Sequence, residues 1–185
     1  RSQKRALNSC KNVEVRIGDP RYTQEKFELY LNHKERFFPL QDDVEDKQSF
    51  RLSFYVNTPF GIEFEYYIDD KLIGVALADK TSQSFSAIYT FYKIPDKKMS
   101  LGTFSVLKQI DYALQNRIKN FYLGYYIADN SSLVYKARFR PNEIYMDGEW
   151  RPFRNAGGDF LIPSDKLQWK NNDQLVKATS HIEFT

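Results

Sequence analysis

Two hydrophobic beats alternate along the chain, one of period two and one near 3.6. Residues 13–18, VEVRIG, alternate apolar and polar side chains and predict a short strand closed by Gly18-Asp19-Pro20. Thr23 is placed to cap a helix running to about Phe37, with Phe27, Tyr30, Leu31 and Lys34 on one side, and Pro39 stops it. Four strand patterns follow: FRLSFYVN (50–57), IEFEYYID (62–69), KLIGVALAD (71–79) and SFSAIYTFY (84–92). Asp69-Asp70 marks a tight hairpin between the second and third. After a basic, proline-containing loop (93–99), Ser100 caps a helix whose apolar positions Phe104, Leu107, Ile110, Leu114 and Ile118 keep the helical beat. FYLGYYI (121–127) is the next strand and SSLVYKARF (131–139) a short helix. The intervening connections imply at least one parallel crossover added to an antiparallel meander. The fold class expected is therefore α/β, a mixed central sheet with flanking helices.

The remaining stretches are less patterned. RSQKRALNSCKN at the start is basic and polar and reads as extended, with little packing. QDDVEDKQS (41–49) is an acidic solvent-facing loop or a short helix. Beyond Glu149 the pattern weakens, with Gly157-Gly158 and a polar tail. This divides the chain into a basic segment (1–20), a central domain (21–150) and a C-terminal extension (151–185) packing on it.

Composition narrows the chemistry. The 185 residues suit one domain, and 42% hydrophobic with 28% charged residues is ordinary for a globular protein. A net charge of +3, from 27 basic and 24 acidic residues, confines any nucleic-acid contact to a local patch. Cys10 is the only cysteine and His33 and His181 are the only histidines, which excludes an intramolecular disulfide and a cysteine- or histidine-rich metal site. No run of eighteen apolar residues and no secretory signal pattern is present, so a cytoplasmic protein is expected. Arg1 in place of a methionine suggests a trimmed or processed start.

Specific motifs then appear in order: SAIYTFY, SLGTFSVLKQIDYA, FYLGYYI, YKARFRPNE and Trp150. Together they resemble the catalytic domain of the aminoacyl-tRNA–protein transferases, the bacterial aspartate/glutamate leucyltransferases most and the eukaryotic arginyltransferases more distantly. The resemblance covers roughly residues 62–150. Two departures stand out: the family's N-terminal cysteine cluster has no counterpart, and Ser132-Leu133-Val134 replaces a Lys-Met pair before Tyr135-Lys136. The resemblance implies an acetyltransferase (GNAT)-like fold. It also implies transfer of leucine or arginine from aminoacyl-tRNA to the α-amine of a protein, a peptide or a metabolite. No cofactor is implied beyond aminoacyl-tRNA as co-substrate, and no metal. The expected partners are that tRNA and a protein or peptide N-terminus, with no membrane and a monomeric chain. A coenzyme A-dependent N-acyltransferase and a non-catalytic relative that binds tRNA or a protein terminus remain as alternatives.

An aminoacyl ester is already activated, so the enzyme must place the amine, move a proton and stabilise an oxyanion. General-base help is worth about 10²–10⁴-fold. Asp79, ending an apolar strand at an aspartate of the matching motif, is the candidate base; Tyr89 and Tyr126 complete the candidate catalytic set. His33, mid-helix among charged residues, reads as a surface histidine. Ser100, Gly102 and Thr103 open a helix whose free N–H groups attract phosphate, with Lys93, Lys97 and Lys98 supplying charge. Gly124 and Tyr125 join these in the candidate donor site, where Gly124 admits close ligand approach and the tyrosines can stack on the terminal adenine. Strand alternation puts Tyr122, Gly124 and Tyr126 on one face, Leu123 and Tyr125 on the other. Tyr66, Lys136 and Arg138 form the candidate acceptor site.

Overall fold

The computed structural model describes residues 2–35, 46–56, 59–93, 99–167 and 178–183. The chain divides into two compact units: Arg1–Lys80 with Ile88–Tyr112, and Thr81–Ala87 with Ala113–Thr185.

The first unit begins with a helix, α1 (Ser2–Ser9), where an extended segment was expected. Ala6 and Cys10, four residues apart and so on one helical face, are both buried, and this anchors the turn of chain. Strand β1 (Glu14–Gly18) follows as expected. Helix α2 (Gln24–Glu35) starts where Thr23 Oγ1 accepts from the Lys26 N–H at 3.2 Å, the expected cap. Its buried stripe is rotated from the expected one. Lys26, Phe27, Leu29, Tyr30 and His33 are buried, whereas Leu31 is 38% exposed. The cause is charge: Lys26 Nζ meets Glu63, Glu65 (2.6 Å) and the Arg21 carbonyl (2.8 Å), so a lysine is accommodated at a buried position outside the expected stripe.

The strand expected at 50–57 is instead mostly a helix, α3 (Lys47–Phe54). Asp46 caps it, accepting from the Ser49 N–H at 2.7 Å. Phe50 and Phe54, spaced i and i+4, turn inward, and Leu52 is left 63% exposed. Phe50 lies among Tyr30 (4.7 Å), Phe27 and Tyr55 (both 5.3 Å) and Phe91 (5.9 Å). Each such ring pair adds about 0.5–1.5 kcal/mol beyond area burial. That reward for a helical face outweighs the two-residue alternation of the local sequence. Strands β2 (Gly61–Ile68) and β3 (Lys71–Lys80) form the expected hairpin, with Asp69 and Asp70 at φ 48° and 58°. Strand β4 (Ser84–Tyr92) is as read. The strand order in this unit is β1-β2-β3-β4. Helix α4 (Leu101–Gln115) begins directly after Ser100.

The second unit takes the start of β4 and the end of α4, then β5 (Asn120–Tyr126), a 3-10 turn (Val134–Arg138), β6 (Glu143–Met146), β7 (Glu149–Pro152) and β8 (Ala178–Glu183). Strands β4 and β5 are parallel, matching the expected crossover. The order here is β4-β5-β8-β6-β7, so the polar tail supplies an interior strand. A core of Tyr126, Ala137, Ile144, Phe153, Ile162 and Leu167 holds the unit together.

Candidate functional site

In the first unit, Ser100, Gly102 and Thr103 sit at the start of α4. The Phe104 N–H donates to the Ser100 carbonyl at 2.9 Å, closing the first helical turn, and no acidic residue occupies that turn. An anion would meet free N–H groups and the positive end of the helix there. Gly102 has a neighbour that sequence reasoning missed: a Cβ on it would stand 3.1 Å from the Tyr92 hydroxyl. Lys93 is exposed, and its N–H donates to the Ile73 carbonyl at 2.9 Å. Lys97 and Lys98 lie outside the described residues.

Helix α4 packs its first residue, Leu101, against β3 at Gly74, where an added Cβ would be 3.1 Å from Leu101. Asp79 lies five residues farther along β3, paired with Gly61, and is exposed. At about 3.3 Å per residue the separation is roughly 16 Å. Its neighbour Lys80 bonds the Tyr112 hydroxyl at 2.9 Å, near the opposite end of α4. The structure therefore does not bring Asp79 together with Ser100, Gly102 and Thr103. Tyr66 is fully buried; its hydroxyl donates to Ser105 Oγ at 2.8 Å, beneath α4, and burial pushes that hydroxyl above the ordinary tyrosine range. Tyr89 stacks on Phe54 with ring centroids 5.1 Å apart, packed against the aromatic core. His33 is a correction: it is buried, and Nδ1 accepts the Tyr92 N–H at 3.1 Å. Its position three residues after Tyr30, on the apolar stripe, was the available signal.

The second unit gathers the other candidates. The parallel ladder joins Ser84–Ser86 to Asn120–Tyr122. On its other side β5 pairs with β8, with a register shift between Tyr122 and Gly124, and Gly124 has φ 78°. The bulge changes the phase of the strand: Phe121 and Leu123 are buried, then Tyr126, while Tyr125 is 49% exposed. The expected two-face alternation thus holds only up to Leu123. The 3-10 turn folds Lys136 back onto this bulge. Its Nζ donates to the Tyr125 carbonyl at 2.8 Å and lies 3.5 Å from where a Gly124 Cβ would stand, with the Ala87 carbonyl 4.0 Å from the same point. Burial lowers the Lys136 amine to a pKa of about 8.

Beside this lies a pocket of about 320 Å³. Tyr126, Val134, Ile162 and Leu167 give it apolar walls, and Arg138 and Arg154 also line it. Tyr126 packs edge-on against Phe153 (4.7 Å), and burial pushes its hydroxyl up while the nearby Arg154 pulls it down. Arg154 was missed because the segment after Trp150 carries no motif. Among the described residues, no helix is long and apolar enough to cross a membrane.

Comparison with known proteins adds to this geometry. The family described as "Arginine-tRNA-protein transferase, C terminus" matches residues 25–146. An aspartate/glutamate leucyltransferase of Pseudomonas fluorescens is 34% identical over 151 residues, covering 81% of this chain and 64% of its own length. One from Helicobacter hepaticus is 35% identical over 155 residues, covering 78% of this chain and 61% of its own. The chain thus spans less than two thirds of the length of these relatives. Among solved structures, an acetyltransferase of Streptococcus agalactiae aligns with TM-score 0.54 at 9% identity, covering 92% of this chain and 98% of its own. A GNAT-family acetyltransferase of Elizabethkingia anophelis, with acetyl-CoA bound, gives 0.54 at 10% identity, covering 94% and 99%. At these identities the likeness is one of fold, and the fold is the expected GNAT-like one.

Proposed function

The chain belongs to the arginine-tRNA-protein transferase family, and we propose that it transfers an amino acid, leucine first, from aminoacyl-tRNA to the α-amine of an acidic protein or peptide N-terminus. The observation that carries this reading is Lys136 of YKARFRP, folded back so that its amine lies at the Gly124 bulge of YLGYYI. Two of the motifs thus meet in space.

The chemistry needs few parts. The neutral α-amine attacks the ester carbonyl, a C–N bond forms, and the ester C–O bond breaks to release the ribose hydroxyl. One proton must leave the amine and one must reach that hydroxyl. A lysine with a pKa of about 8 holds both protonation states near the acceptor's own α-amine range of about 7.7–8.0. Lys136 is therefore the proposed proton carrier, in place of Asp79. The N-terminal turn of α4, with Ser100, Thr103 and Lys93, is the proposed contact for donor phosphate.

A panel of charged tRNAs, each mixed with this chain and peptides of defined first residue, tests the reading. Transfer from leucyl-tRNA to an Asp- or Glu-initiated peptide is the expected result. Acyl transfer from acetyl-coenzyme A with none from any charged tRNA overturns it.

A further inference from the structure

The pocket beside Tyr126 joins an apolar wall to two guanidinium groups, and among the described residues no acidic side chain lines it. Arg154 is held rigidly within the second unit. Its Nε donates to the Ala137 carbonyl at 3.2 Å, another N–H donates to the Gly158 carbonyl, and its plane lies over the Phe160 ring, 3.5 Å from the centroid. Both acceptors are neutral, and they take two of five donors. Among the described residues no carboxylate pairs with Arg154. A half-buried cation against aromatic and aliphatic carbon is costly until an anion joins it. Arg138, from the 3-10 turn, adds a second positive charge to the same wall.

We infer that this pocket is the acceptor subsite, taking the side-chain carboxylate of an N-terminal aspartate or glutamate on Arg154, with the methylene stem against Val134 and Leu167. The inference rests on the transfer reading above and gives it a location. A planar guanidinium already anchored by two backbone carbonyls presents a fixed fork to a carboxylate. An apolar occupant, such as a leucyl side chain, would cover Arg154 and give it no partner. The volume of about 320 Å³ lies at the small end for ligand sites, as one short side chain requires. Arg154 is then a specificity residue, and the segment after β7 forms part of the substrate site.

Binding decides this without turnover. Peptides differing only in a first residue of Asp, Glu, Asn or Leu are titrated into the whole chain and followed by NMR. The Asp and Glu peptides are expected to bind at least about tenfold more tightly than the Asn peptide. Arg154→Met should remove that preference and leave the affinity for charged tRNA unchanged. Because Arg154 also braces the loop to Gly158, Ser164→Asp is the second variant: it places a carboxylate on the lining and leaves both backbone bonds intact. It should weaken the acidic peptides and spare the Asn peptide. Equal binding of Asp and Asn peptides, no binding of either, tighter binding of the Leu peptide, or an acidic preference that survives Ser164→Asp overturns the assignment. Peptide binding without transfer from any charged tRNA would count against the reaction and not against the pocket.

Discussion

Lys136 Nζ lies 3.5 Å from the point where a Cβ on Gly124 would stand. The glycine has φ 78°, a backbone region that costs other residues roughly 1–2 kcal/mol. The bulge therefore does two things at once: it stops the strand's alternation and clears space for an amine. Because burial lowers the Lys136 pKa from 10.5 to about 8, transfer is expected to rise with pH through about 8 and then level off. In Lys136→Met the rate should fall by about 10²-fold or more, and the remaining pH dependence should follow the acceptor amine alone. A Lys136→Met enzyme with full rate would return the lysine to a structural role. The same lowered pKa has a stability sign. Between about 8 and 10.5 the unfolded chain binds more protons than the folded one, so stability attributable to Lys136 increases as pH rises through that window. Melts of wild type and Lys136→Met across the window should converge at its upper end.

Asp79 supplies the contrasting prediction. It stands roughly 16 Å along β3 from the residue that packs on the start of α4, and it is exposed. Asp79→Asn is expected to keep transfer within about threefold. A loss of about 10²-fold with unchanged folding would restore the aspartate as the base and displace Lys136 from that role.

Gly102 separates packing from donor binding. An alanine there would press its Cβ to 3.1 Å from the Tyr92 hydroxyl, and that crowding should lower the melting temperature slightly. Tyr92→Phe removes the crowding atom, so the double variant should recover the melt. If the α4 terminus also approaches donor phosphate, Gly102→Ala weakens charged-tRNA binding and Tyr92→Phe leaves that defect in place. Full recovery of binding in the double variant would limit Gly102 to its contact with Tyr92.

The hairpin β2–β3, strand β4 and the crossover through α4 to β5 were legible because each is a sustained run of one period bounded by turn residues. Where local and tertiary preferences disagreed, the tertiary contact prevailed. Phe50 and Phe54 fit a strand by alternation and a helix by i and i+4 spacing, and the ring cluster around Phe50 selected the helix. The polar tail had no period strong enough to reveal β8, whose place is set by pairing with β5 and β6. At the site, the motifs named Lys136 and Gly124 but not their contact, since a 3-10 turn and a bulge leave no periodic trace. Arg154 carried no motif at all, and only the folded pocket places it beside Arg138 and Tyr126.

The strongest stability prediction concerns Lys26 and Glu63, each with side chains 3% exposed. Lys26 Nζ bonds Glu63 Oε1, Glu65 Oε1 and the Arg21 carbonyl, and the second Glu63 oxygen accepts the Tyr55 hydroxyl at 3.1 Å. One lysine thus balances two carboxylates between α2 and β2. Burial raises the Glu63 carboxyl above the ordinary range even with Lys26 beside it, as expected where desolvation outweighs pairing. Lys26→Met removes the only cation of this cluster among the described residues and should cost about 3–5 kcal/mol. Glu63→Gln keeps the shape and leaves Lys26 paired with Glu65, so it should cost distinctly less. Lys26→Met combined with Glu63→Gln should recover part of the loss, because fewer charges are then buried without a partner. Urea melts of the three variants measure this. A Lys26→Met chain as stable as wild type would mean that the charges remain hydrated, contrary to their burial.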